Sequence, residues 1–431
     1  MEFLIQHVIA PTAHYLDLLQ FISIMTYMIH LPFIGLVIGG VGAAMWFTLA
    51  DSDNPNPKYA RFAGDLLDVI LGNKIAVLVL GILPIFVLTN VHLQWFVGAG
   101  AVPLKYIPWT LVPVVLGFIV LEAYRRSFDS RKNNIRRHLG MGSLGFVLLL
   151  FGYLILMAIL VRLQDPEKWF RVTNLGIMLL NWNAIWKVLF FLHASFAFTG
   201  CAILFFFFKW PRTRIEPEGD YAGLVRNFGA GLAFAFSLAM PVFYSFYIFT
   251  TADVAFDNVV YLLATAVIFL ILVNTLFLFS NLKATQTRFG ATTFVLFLFV
   301  FVVVSIVDQK TMGNANMEHR SLLVIEAERL EDERRAHLES LAAGAAGENR
   351  GEEIFTGQCM ACHRFDTQLV GPALAEVLPK YKDNIEELKA YIKNPSKKNP
   401  DFPPMPSLGL SDSDVEAIAG YVLEQLEQPP E

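Results

Sequence analysis

The sequence predicts an all-α protein: a polytopic membrane helix bundle of about eight spans with both termini outside, followed by a small soluble helical domain. Three observations predict it. The chain has 431 residues, 55% hydrophobic and 16% charged, with a mean hydropathy of +0.50; a soluble domain carries about 25% charge. The charge is unevenly placed, with 20 Lys/Arg and 16 Asp/Glu in residues 1–308 but 13 and 22 in residues 309–431. Runs of about 20 apolar residues recur through the first part, and in lipid only a helix satisfies its own backbone groups. Neither part is strongly basic, which excludes nucleic acid as a partner.

The spans fall at roughly 16–50, 70–97, 109–125, 139–163, 184–209, 223–250, 258–281 and 290–308. One set of connections carries 15 Lys/Arg: Lys58, Arg61, Lys74, Arg125, Arg126, Arg131, Lys132, Arg136, Arg137, Lys209, Arg212, Arg214, Arg226, Lys283 and Arg288. The other set carries five: Lys105, Arg162, Lys168, Arg171 and Lys187. Positive charge marks the cytoplasmic side, so both termini are expected on the extracytoplasmic face of a bacterial inner membrane. No basic region precedes the first span, where the first positive residue is Lys58, so the first helix itself is expected to drive export.

The expected domains are 1–308 (membrane bundle), 309–349 (helical linker arm) and 350–431 (soluble domain). Within the arm, residues 318–346 are rich in Ala, Glu, Arg and Leu, with many pairs four apart. The soluble domain is expected to have helices near 350–357, 384–393 and 411–426. Of the three cysteines, Cys201 lies in an apolar run and is expected to pack as a small hydrophobe.

Cys359-Met360-Ala361-Cys362-His363 has the C-x-x-C-H spacing of c-type haem attachment. Two thioethers form through Cys359 and Cys362, and His363 reaches the iron. A zinc or thioredoxin-like use of C-x-x-C lacks a second cysteine pair and a βαβ pattern. After His363 there is one methionine and no histidine, so Met405, in Phe402-Pro403-Pro404-Met405-Pro406, is the expected sixth ligand. A His/Met pair raises the reduction potential. The stretch resembles a class I cytochrome c: Gly351 and Phe355 match its first helix, Gly371-Pro372 its loop, and Tyr421 its closing helix. In that family the loop proline carbonyl accepts a hydrogen bond from the ligating imidazole. Thioether attachment outside the cytoplasm agrees with the expected orientation.

Four histidines fall in or beside the spans: His14, His30, His92 and His193. Ionisable residues at membrane depth are functional by default. At 1.5 Å per residue, His30 lies roughly 21 Å and His193 roughly 14 Å into their spans, with His92 roughly 8 Å deep and His14 at the edge. His30 with His193 is therefore the expected axial pair of one b-type haem, and His14 with His92 of a second, with Met25, Met28 or Met240 as replacements. His7, His138, His319 and His337 are expected on solvated surface. Asp17, Asp253 and Asp257 sit at the outer edge and Glu122 at the inner end. With no acid in mid-membrane, a chain of proton-carrying carboxylates is not expected.

The membrane part is similar to subunit I of the cytochrome bd quinol oxidases. Leu19-Gln20-Phe21, Tyr27, His30 and Leu36-Val37-Ile38-Gly39 resemble that family's first span. Asn183, Lys187, His193 and Thr199-Gly200 resemble its fifth. The resemblance implies b haems and quinol. This chain departs from it in the short connection Thr251 to Asp257, in having no ninth span, and in Val114 where the family has an acid partner to Glu122. The expected function is a membrane electron-transfer subunit of a quinol–cytochrome c type oxidoreductase complex. It passes electrons between quinone or b haems and a periplasmic cytochrome or partner subunit through one covalent haem c. The alternatives are a bd-like terminal oxidase subunit with a fused cytochrome c, and a haem-c-bearing anchor or redox sensor without haem b.

Overall fold

A computed structural model describes residues 11–211, 213, 219–283 and 287–426, with backbone alone at 340–349. His7, Arg212 and Arg214 lie outside the described residues. The chain divides into two compact units, Met1–Ala327 and Glu328–Glu431. No strand occurs among the described residues.

The first unit holds eight helices long and apolar enough to cross a membrane. They are α1 (Ala13–Asp53), α3 (Lys74–Trp95, with a π-turn at Val77–Ile82), α4 (Pro108–Arg126), α5 (Ile135–Leu163), α6 (Trp182–Phe206), α7 (Asp220–Thr250), α8 (Asn258–Lys283) and α9 (Gly290–Ala315). Each overlaps a span expected from the apolar runs. The last extends seven residues past Asp308, the position at which hydropathy placed its end. A further helix, α2 (Pro57–Leu71), joins the first two spans. Asn56 caps it, accepting from the Lys58 N–H at 3.1 Å, and Pro57 occupies its first turn. Its apolar face buries Phe62, Leu66 and Ile70, and Phe62 packs edge-on to Phe47 of α1 at 4.9 Å. Its polar residues had marked it as plain connection.

Small residues set the helix crossings. A Cβ on Gly39 of α1 would collide with the Thr199 side chain of α6 and lie 2.7 Å from the Ser195 carbonyl. On Gly200 it would come within 2.5 Å of the Gly229 carbonyl in α7. In lipid, where apolar contact brings no water-driven gain, such close backbone approach is what holds helices together. Cys201 is buried beside this crossing.

Two histidines expected on the surface are not there. His138 is buried, its ring tilted against Tyr124 at 4.4 Å, with Nδ1 2.6 Å from Ser127 Oγ. Asn134 caps α5 four residues earlier, so helical rotation carries His138 inward although its neighbours Arg136 and Arg137 stay exposed. His319 lies half-buried, parallel to the Phe96 ring, with Nε2 3.3 Å from the Trp95 carbonyl. Burial holds its imidazole below its ordinary pKa. His337 is exposed.

The arm is helical: residues 309–315 complete α9, and the rest from Met317 lies within α10 (Met317–Ile354). In the second unit, α10 is followed by a π-turn (Phe355–Cys359), a short helix (Leu374–Val377), α11 (Ile385–Lys393) and α12 (Asp412–Gln425). Gly351 permits the crossing of α10 and α12: a Cβ there would lie 2.5 Å from the Tyr421 Cβ. Ile354, Phe355, Leu378, Tyr381, Leu388, Ile418 and Val422 form the core of this unit.

Candidate functional site

Cys359 closes the π-turn, and two tight backbone bonds carry the chain through the motif: Cys362 N–H and His363 N–H donate to the Cys359 carbonyl at 3.1 and 2.9 Å. This curl places both thiols and the imidazole on one cavity of about 470 Å³, lined also by Phe355, Leu388, Tyr391, Ile418 and Met405. Burial, then the neighbouring Cys362, raise the Cys359 thiol above its ordinary pKa.

Opposite the motif, Gly371 N–H donates to the Cys362 carbonyl at 2.9 Å, pinning the following loop. His363 Nδ1 lies 3.1 Å from the Pro372 carbonyl. A carbonyl can only accept, so Nδ1 carries the proton and Nε2 keeps its lone pair. The Gly371–Pro372 feature read from the sequence is present in this geometry. Gly371 is required by space, since a Cβ there would run into the His363 ring. Met405 lines the same cavity from the Pro403-Pro404-Met405-Pro406 strap. The residues therefore fit a covalent haem: two thiols, one oriented imidazole with a free Nε2, one thioether and apolar walls.

The Cytochrome c family model matches residues 348–425. The chain is 38% identical over 89 residues to cytochrome c-551 of Pseudomonas aeruginosa, covering 85% of that protein and 20% of this chain. It is 34% identical over 85 residues to cytochrome c-552 of Hydrogenobacter thermophilus, covering 87% of it and 19% of this chain. Cytochrome c6 of Synechocystis sp. is 33% identical over 93 residues, or 72% of its length and 21% of this chain. The chain belongs to the cytochrome c family. No solved structure matches it. Membership rests on the cytochrome c domain alone, which carries with it a covalent haem c and electron transfer, while the apolar helices make the cytochrome c a membrane protein.

The membrane histidines attached to this cytochrome c occupy separate surroundings. His30 is fully buried with both ring nitrogens engaged, Nδ1 2.6 Å from the Leu80 carbonyl and Nε2 on the Tyr153 hydroxyl. His193 has Nδ1 2.8 Å from the Leu189 carbonyl and packs on Phe236 and Phe243 of α7. No hydrogen bond or ring contact among the described residues joins His30 to His193. α6 meets α1 through Ser195 and Thr199, and two residues along a helix turn a side chain to the other side. His92 is buried, with Nδ1 2.7 Å from the Leu88 carbonyl and Nε2 bonded to no described residue, whereas His14 is exposed. Equal depth is necessary for two axial ligands, but facing is a matter of helix rotation, which depth arithmetic ignores. As far as nitrogens go, His92 and His193 retain one that fits a b-type haem, and His30 does not.

Sequence reasoning missed a buried polar cluster. Asp308, taken as the end of the last span, is buried inside α9, with its carboxylate 3.0 Å from Lys187 Nζ of α6. The Tyr247 hydroxyl donates to Asp308 Oδ1 at 2.7 Å and lies 3.2 Å from Lys187 Nζ. Gln164 Nε2 donates to Thr311 Oγ1 at 2.9 Å, and Asn183 Nδ2 to Thr251 Oγ1 at 2.8 Å. Asp308, expected at the edge of the last span, is thus a buried acid seven residues inside the end of α9. The available signal was helical spacing, since Val304, Val307, Thr311, Met312 and Ala315 continue one buried face past a charge that a hydropathy window treats as a boundary.

Proposed function

We propose that this chain is a membrane electron-transfer subunit of a bacterial inner membrane, with its cytochrome c domain on the periplasmic side. Cys359 and Cys362 hold the haem c through thioethers, and His363 and Met405 are its axial ligands. The observation carrying this assignment is the His363 Nδ1 bond to the Pro372 carbonyl, which aims Nε2 into the cavity that Met405 also lines. Bound haem supplies one-electron exchange; the protein's part is ligation, orientation and exclusion of water. The Lys/Arg asymmetry supports the sidedness. A soluble cytochrome or another subunit is the partner on the periplasmic side. Quinone, or a b-type haem held by His92 or His193, is the exchange partner within the membrane.

A second reading is favoured by one observation: His30 has no nitrogen left. On that reading the bundle is a haem-free anchor and haem c alone does the electron transfer. A pyridine haemochrome spectrum of the purified chain separates the two. Haem b together with haem c, with haem c reduced by a quinol analogue, supports the membrane electron-transfer reading. Haem c alone, unreduced by quinol, leaves the anchor. Oxygen consumption with a carbon-monoxide-shifted b-type spectrum indicates a terminal oxidase instead.

A further inference from the structure

The Lys187–Asp308 cluster belongs to the membrane helices, not to the cytochrome c domain, and needs its own account. We propose that Lys187 and Asp308 form an intramembrane proton-exchange site, hydrated by internal water that extends to Tyr27 and Tyr244.

The argument begins with cost. Their side chains are only 4% and 10% exposed, and a buried ion pair of this kind is commonly no more stabilising than apolar residues of the same volume. Cohesion of the bundle therefore does not explain it, and ionisable residues at membrane depth mark ion and proton paths.

The second observation is a set of unpartnered groups beside the pair. The Tyr27 and Tyr244 hydroxyls are buried and bond to no described residue. Each residue is at most 2% exposed. Tyr27 and Tyr244 are within electrostatic reach of Asp308. The Tyr244 ring is 6.1 Å from that of Tyr247. Buried polar atoms are nearly always satisfied, and where protein does not supply the partner, internal water does.

The third is direction. Asp308 lies seven residues, about 10 Å, from the α9 end at Ala315, and Tyr27 fourteen residues, about 21 Å, from the α1 start at Ala13. The groups thus descend from one end of the bundle. Gln164, Thr311, Asn183 and Thr251 lead from that end to the pair, where Lys310 also meets Asp257 on the surface at 3.2 Å. At depth, Tyr153, hydrogen-bonded to His30, is within electrostatic reach of Tyr27 and ends the series. Bonded to Asp308 are Lys187 of α6, Tyr247 of α7, Gln164 beyond α5 and Thr311 of its own helix, with Tyr244 of α7 and Tyr27 of α1 within electrostatic reach. In the exchange step a hydronium proton adds to the Asp308 carboxylate, giving the carboxylic acid and one water, while Lys187 stays an ammonium; release reverses it.

The test is infrared difference spectroscopy between alkaline and acid pH on the full haem-loaded chain in lipid nanodiscs, in H2O and in D2O. The expected result is a carboxylic acid C=O band that shifts in D2O within minutes and is lost in Asp308→Asn. The variant Lys187→Met/Asp308→Asn, which leaves no unpaired buried charge, should fold and also lack the band. The proposal is overturned if both variants keep every acid band of the parent chain. It is equally overturned if the Asp308 band does not shift in D2O, which would make the pair a sealed structural contact.

Discussion

Gly371 lies against the face of His363 so closely that a Cβ at this position would sit 2.8 Å from the ring's Nδ1 and 2.9 Å from Nε2. The loop therefore fixes the imidazole from the side while the Pro372 carbonyl holds it from behind. Gly371→Ala has to displace one or the other. The expected outcome is a loss of about 1–3 kcal/mol in stability, the usual effect of overpacking. It should appear as a lower unfolding midpoint followed through haem absorbance, with a smaller yield of haem-loaded protein.

Met405 is the only methionine after His363 and lines the haem cavity. Met405→Ala should lower the reduction potential of haem c, because the thioether favours the ferrous state, by a part of the roughly 0.8 V range that axial ligands span. Spectroelectrochemistry measures it. An unchanged potential would remove Met405 from the iron.

Lys187 and Asp308 should behave as a unit. Lys187→Met alone leaves Asp308 a buried uncompensated charge and should cost about 3–5 kcal/mol, whereas Lys187→Met/Asp308→Asn should recover most of it. Thermal unfolding of the chain in nanodiscs, run on both variants, gives the coupling directly. Additive effects would contradict the contact.

The crossing of α1 and α6 offers a packing test. Gly39→Val would force a side chain into Thr199 and the Ser195 carbonyl and should destabilise by about 1–3 kcal/mol. Gly231 in α7 has nothing within 4 Å of its added Cβ, so Gly231→Ala should be neutral or gain up to about 1 kcal/mol from helix propensity. Unfolding midpoints of the two variants should move apart.

Within the cytochrome c domain, Arg350 Nε donates to Asp414 at 2.8 Å, and the Ser411 hydroxyl, which accepts from the Asp414 N–H at 3.2 Å, stands beside it. These hold the Asp414 carboxyl below its ordinary pKa. A lowered native pKa means stability that is present above the ordinary carboxylate value, about 3.9, and is lost as pH falls through the native one. Asp414→Asn should therefore lower the unfolding midpoint at neutral pH, and the difference should vanish toward the acid limit. A pH series of unfolding curves checks it.

Much of this protein is written in short stretches of chain. Eight spans follow from runs of apolar residues, because a backbone in lipid has no choice but helix. The haem c motif and the Gly371-Pro372 loop are legible because each acts over a few residues. What the tertiary structure alone decided is which side chains meet across the bundle. Lys187 and Asp308 are far apart in sequence, and His30 is bonded to Tyr153, also far away in the chain. Those meetings depend on how each helix is rotated about its axis, and Gly39 against Thr199 and Gly200 against Gly229 settle that rotation through contacts that no single segment contains.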